Sequence, residues 1–334
     1  MNHTSGPDSA ERTELARLLP APGKPELPAG RHLLLKEAFM QQITEPAVVP
    51  SRRSILLAAP VAAAVLVATL AIGVTVLDSR ATGGPSIAAD SPRVVVAAGD
   101  AAGVAPLMER VALVAGKKPR VPVGDDEYVY IKSRVAWLDF VNDGRSGNKD
   151  AGVDPMALSP VRTREIWRPA SQGSEGLVHD RGDTFGLHDT EPNSYYATLP
   201  TDPAALLQQV YVVTEGQGHG ADAAAFDFIG TALRESLLPP QVAAALYRAA
   251  AKIPGVVLVA DSVDAEGRHG VAVARTDEVD GQRREWIFNP ATFEYLGERS
   301  YLVRDTDLGK AGTLTGTTAV LQRGVVRKKG ELPE

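Results

Sequence analysis

The run EYVYIKSRVAW, Glu127 to Trp137, decides the fold class. Tyr128, Tyr130, Lys132 and Arg134 alternate with Val129, Ile131, Ser133, Val135 and Trp137, and a period of two puts the second, largely apolar set on one face of a β-strand. A strand with one face to bury needs neighbours. Val161 to Arg168 repeats the habit, with Arg162, Arg164, Ile166 and Arg168 opposite Thr163, Glu165 and Trp167. Strand signals return at Val256–Ala260, Gly270–Thr276, Arg284–Phe288, Phe293–Val303 and Thr318–Arg327. Asp264-Ala265-Glu266-Gly267 and Asn289-Pro290-Ala291-Thr292 are tight-turn sequences between neighbouring runs, which implies antiparallel hairpins.

Between the two groups of strands the period becomes helical. Asp202 or Thr201 caps a segment that buries Leu206, Leu207, Val210 and Val213, and Pro203 suits its first turn. A second helix, Asp222 to Leu238, carries Phe226, Ile229, Leu233 and Leu237 and stops at Pro239-Pro240. A third, Gln241 to Lys252, shows Val242, Leu246 and Ala249, and an earlier helix from Pro106 to Gly116 shows Leu107, Met108, Val111 and Val114. Strands, a helical block and more strands predict an α+β domain, a curved antiparallel sheet with a block of about three helices on one face. FVNDGRSGNKDAGVD, beginning at Phe140, and the polar stretch from Arg168 to Tyr196 read as long connections.

Upstream, ILLAAPVAAAVLVATLAIGVTVL from Ile55 to Leu77 is uncharged over 23 residues, about 34 Å as a helix and enough to cross a bilayer. Arg52 and Arg53 flank its N-terminal end, so the positive-inside rule places the N-terminus in the cytoplasm and the C-terminal domain outside. The expected layout is a cytoplasmic arm at 1–53, a transmembrane helix at 54–77, a Gly, Ala, Ser and Pro-rich linker at 78–103, an extracytoplasmic domain at 104–328 and a tail at 329–334. Within the arm, Arg31 to Ile43 forms a short amphipathic segment whose Leu34, Leu35 and Phe39 are candidates for binding a cytoplasmic protein; lying on the inner leaflet is the alternative.

Composition removes several functions. The absence of cysteine excludes a disulfide scaffold, a thiolate zinc site, an iron–sulfur cluster and a thiol nucleophile. A net charge of -6 argues against a nucleic-acid partner. No G-x-x-x-x-G-K-[ST], H-E-x-x-H or G-x-S-x-G motif is present, so no enzymatic activity, cofactor or metal is expected. GQGHG at Gly216–Gly220 follows a helix rather than a strand and reads as a flexible loop. His179-Asp180, Asp183 and His188-Asp189 are of metal-ligand type, but nothing in their spacing fixes a ligand geometry. Glu285 beside Arg283 and Arg284, and Glu298 beside Arg299, read as solvated strand faces or cross-strand pairs. Trp286 and Phe288 share a strand face, and Trp167, Tyr128 and Tyr130 are candidate neighbours, either as core or as an apolar ligand groove.

The phrases LPTDPAALLQQVY, FDFIGTALRESLLPPQVAAALYRAAAKIPGVVLVADSVDAEGRHGVAVARTDE and REWIFNPATFEYLGERSYLV resemble an uncharacterised family of single-pass actinobacterial membrane proteins. The likeness extends to LLLKEAFMQQI, the apolar span and YVYIKSRV. It implies an anti-sigma-factor-like layout, although the His and Cys pattern of the zinc-bearing anti-sigma domain is missing. The outer pattern is also similar to curved-sheet lipoprotein carriers and periplasmic stress sensors. Two functions follow as expectations. One is a membrane-anchored sensor that couples an envelope domain to a cytoplasmic partner such as a sigma factor; the other is an envelope protein that binds or carries a lipid or other hydrophobic ligand.

Overall fold

A computed structural model describes residues 91–140, 156–187 and 190–333. The amphipathic arm with Leu34, Leu35 and Phe39, the apolar run at 55–77 and the pair His188-Asp189 lie outside the described residues. Among those described, no helix is long and apolar enough to cross a membrane.

The alternating run becomes β1, Tyr128–Phe140, and pairs along both edges. On one side lie β3 (Arg162–Pro169), β4 (Gly176–Asp180) and β5 (Asp183–Leu187), while the short β2 (Met156–Leu158) pairs with the end of β1. On the other side lies the last strand, β10 (Leu314–Val326), followed by β9 (Tyr295–Leu302), β8 (Gln282–Phe288), β7 (His269–Asp277) and β6 (Val256–Val263). All pairings are antiparallel. The sheet is thus two meanders joined where β1 meets β10, and it confirms the α+β, antiparallel expectation.

The chain between the meanders supplies α2 (Asn193–Ala197), α3 (Pro203–Val213), α4 (Ala221–Glu235) and α5 (Pro240–Ala250), and α1 (Val104–Lys117) precedes β1. Asp202 accepts hydrogen bonds from the backbone amides of Ala204 and Ala205 at 3.1 and 2.8 Å, as its capping position requires. The apolar faces of α1, α3, α4 and α5 close over Val273, Trp286 and Phe288 of the second meander. There the Phe226 and Trp286 rings stack with centroids 3.8 Å apart. The opposite sheet face carries Val259, Ala272, Ala274 and Ile287, with Ala97 packed against them.

Ala97 belongs to a segment ahead of α1 that is held to the sheet at several points. Val94 donates to the Gly312 carbonyl, Asp100 and Leu258 exchange backbone bonds, and Arg283 reaches the Ala97 carbonyl at 2.7 Å. At the other terminus the Trp167 indole donates to the Glu331 carbonyl at 2.6 Å.

One expectation is corrected. The polar stretch from Arg168 to Tyr196 contains β4, β5 and α2 instead of a continuous connection. Asp180 pairs with Asp183 across the two-residue loop Arg181-Gly182, in which both residues have positive φ, 57° and 83°. Such a turn matches the twist of an antiparallel pair but normally uses Asn or Gly at its first position, so Arg181 hid the hairpin.

Gly297 of β9 lies so close to β10 that a Cβ there would collide with the Thr318 carbonyl. We expect Gly297→Ala to lower stability by more than about 2 kcal/mol, read as a fall in the urea midpoint. Gly116→Ala, whose new methyl meets the Ala244 Cβ at 3.5 Å and the Gln241 Nε2 at 4.0 Å, both ordinary contacts, should stay close to wild type.

Candidate functional site

A cleft of about 440 Å³ opens between the helices and the sheet at the β9–β10 pair. Pro240, Ala243 and Tyr247, spaced along one face of α5, form one wall, and Val114, Ala115 and Lys118 at the end of α1 form another. Leu237 and Leu238, between α4 and α5, continue the apolar lining, and Phe293, Val320 and Arg323 come from the sheet side.

Arg323 owes its position to a β-bulge. Ser133 pairs with Val320 but Lys132 pairs with Gln322, leaving Leu321 as the extra residue. Without it, Arg323 would alternate onto the face away from the helices. With it, Arg323 stands opposite Ile131, on the helix side, and its Nη2 donates to the Leu233 carbonyl of α4 at 2.5 Å. The guanidinium lies 5.9 Å from the Tyr295 ring centroid. Its Nε is buried without a hydrogen-bond partner, and burial pushes its pKa below the usual arginine range. Lys118 and Arg268, the other cations on the wall, pair with Glu294 at 2.7 Å and Asp264 at 2.6 Å. Arg323 has no carboxylate partner among the described residues.

The arginines of β3 are treated differently. Arg164 and Arg168 both meet Glu235 at the end of α4, at 3.0 and 3.3 Å, and Arg162 holds Asp180 at 2.6 Å. Arg234 meets Glu298 at 2.7 Å, and Arg284 meets Asp227 at 2.6 Å. Trp137 lies 5.5 Å from the guanidinium carbons of Arg162 and Arg164. Burial alone would raise the Glu235 pKa, but Arg234, Arg164 and Arg168 outweigh it and hold the carboxyl at about 2. On the opposite face Glu285 is fully buried and accepts hydrogen bonds from Ser262, Arg299 and Tyr301 at 2.7, 2.6 and 2.6 Å. Burial and this carboxylate push the Tyr301 hydroxyl up to about 12. Glu285 and Arg299 are therefore a cross-strand pair, whereas the expectation of solvated faces fails for Glu285 and Glu298.

The aromatic candidates do not form one surface. Trp286 and Phe288 are fully buried beneath the helices. Tyr130 and Trp167 lie on the other face with Val326, and Tyr128 packs beside them. His179 contacts the Trp167 ring edge-on at 4.9 Å, whereas Asp180 faces Arg162, so these sequence neighbours point to opposite sides of β4. Asp183, on β5, is exposed. A cluster that sequence spacing does not reveal is His219, Asp277 and Asp280, whose ligand-type atoms lie within 4.8 Å of one another. His219 Nδ1 is 2.9 Å from Asp277 and 3.9 Å from Asp280. The chain separation between the histidine and the β7–β8 turn conceals it.

No protein-family model matches the chain. No curated protein matches it either. Among solved structures, the chain is similar to the crystal structure of MucB, at 14% identity and a TM-score of 0.24, over 70% of this chain and 61% of that one. The chain thus spans less than two thirds of MucB's length, and at that TM-score the likeness carries no argument about function.

Glu235 is ionised down to about pH 2 in the folded protein, whereas an unfolded glutamate takes up its proton near pH 4.3. Its contribution to stability is therefore present above that value and lost as pH falls toward 2. We expect Glu235→Gln to cost about 3–5 kcal/mol at pH 7, because it strands buried arginines, and to flatten the acid limb of stability against pH in denaturant titrations.

Proposed function

We propose that this chain is a membrane-anchored regulatory protein of the cell envelope, with residues 91–333 as its extracytoplasmic binding module. The observation that carries the binding half is the cleft between α1, α5 and the β9–β10 pair, where an apolar wall meets a guanidinium that has no carboxylate partner among the described residues. Small-molecule sites are concave and apolar with a few fixed polar groups, and their volumes run from about 300 to 1,000 Å³. The regulatory half rests on sequence: an uncharged run at 55–77, arginines on its N-terminal side and an arm that offers Leu34, Leu35 and Phe39 to a cytoplasmic partner such as a sigma factor.

The second reading is an envelope lipid-binding or carrier protein with an inert arm, and the same cleft favours it. The two differ in what the arm does. Full-length protein should remain in the membrane after alkaline carbonate, and protease added to intact spheroplasts should digest the C-terminal domain while sparing an N-terminal tag. Cross-linking in cells should capture a regulator on the arm, lost when Leu34, Leu35 and Phe39 are changed to Asp. Carbonate release, or digestion of the tag, would overturn the anchored topology. Unchanged cell behaviour after deletion of residues 1–50 would leave the carrier reading in its place.

A further inference from the structure

We propose that the cleft binds a small amphiphilic carboxylate, its acid group on Arg323 and its apolar tail along α5 and the end of α1. This inference rests on the binding reading above and adds the class of ligand. Three observations converge on it. The extra residue Leu321 reverses the strand's alternation and carries Arg323 to the helix side, and bulges recur where a strand re-aims a side chain beside a site.

The guanidinium delivered there is underused. Among the described residues Nη2 bonds only the Leu233 carbonyl, Nε is buried without a partner and Nη1 makes no hydrogen bond. A cation removed from bulk water without a counter-charge is costly, and a bound carboxylate supplies both the charge and the acceptors that are missing. Tyr247, whose hydroxyl also makes no hydrogen bond among the described residues, lines the same cleft and is a second donor for the acid.

The rest of the wall selects the tail. Ala243 and Leu237 contribute apolar surface, and the other charged side chains on the wall are already engaged, Lys118 with Glu294 and Arg268 with Asp264. A single spare guanidinium matches a monoanion. A more highly charged headgroup would meet the Glu294 carboxylate on the same wall.

The test is equilibrium binding of labelled decanoate and of 1-decanol to the full-length chain in nanodiscs, with binding to empty nanodiscs subtracted. Decanoate should bind saturably, and decanol at least about tenfold more weakly. Arg323→Met should weaken decanoate by a similar factor and leave decanol unchanged, Arg323→Lys should restore part of the difference, and Ala243→Phe should reduce both ligands by filling the tail wall. Should Arg323→Met fail to fold, the wild-type preference for decanoate over decanol and its change in Arg323→Lys decide the question. Equal binding of acid and alcohol overturns the carboxylate assignment and leaves the binding reading standing. Saturable binding of neither overturns the binding reading itself.

Discussion

The pairing of β1 with β10 holds the rest of the architecture. These strands belong to different meanders, and the helices α2 to α5 lie between them in sequence. Each meander is assembled from hairpins whose contacts are local, whereas this pair must close a loop of nearly two hundred residues. Closure entropy grows only slowly with loop length, and the pair recovers it through ten aligned positions, Tyr128 to Trp137 against Gly316 to Val326. Because β1 also pairs with β3, its backbone is satisfied on both edges. The nine-strand path then ends at β5 and β6, and the outer edge of β6 is bridged at Leu258 by Asp100.

Buried charges sharpen the register of that sheet. Glu285 occupies the face away from the helices, with three donors on its carboxylate. Glu298, one strand over, faces the helices and meets Arg234 and Tyr295. A slip of one residue in β8 would turn Glu285 toward Phe226 and the helical core, and would turn Trp286 out of its stack. An aliphatic sheet would tolerate such a slip more easily, since it has no fixed partners to lose. The same logic ties α4 to the first meander: Glu235 gathers Arg164 and Arg168 from β3, and the Arg168 guanidinium also reaches the carbonyls of Glu235 and Glu191 at 2.8 and 2.7 Å.

Periodicity made the large elements legible, and local exceptions concealed the rest. The alternation from Tyr128 to Trp137 and the helical spacing of Phe226, Ile229 and Leu233 each survive in the structure, because burial rewards the same period that the sequence displays. The β4–β5 hairpin escaped notice because Arg181 occupies a turn position where Asn or Gly is expected. Trp286 and Trp167 read as potential neighbours because a pattern assigns faces within one strand but not between strands far apart in the sheet. The cleft residues were not legible at all: Arg323 lies beyond a bulge, and an insertion of one residue inverts every face assignment after it.

That inversion also explains why two sets of arginines on the same side of one sheet have different partners. Arg164 and Arg168 follow the uninterrupted alternation of β3, and the end of α4 brings Glu235 to meet them. Arg323 comes from β10, across β1 from β3 and past the extra Leu321, and reaches α4 two residues earlier, at the Leu233 carbonyl. A backbone carbonyl offers a dipole where Glu235 offers a full charge, so desolvation of Arg323 is offset less completely. What makes the position tenable is the cleft beside it. In a closed core the same guanidinium would require a carboxylate, but on a wall open to solvent it keeps part of its hydration while remaining oriented by Leu233 and the Tyr295 ring.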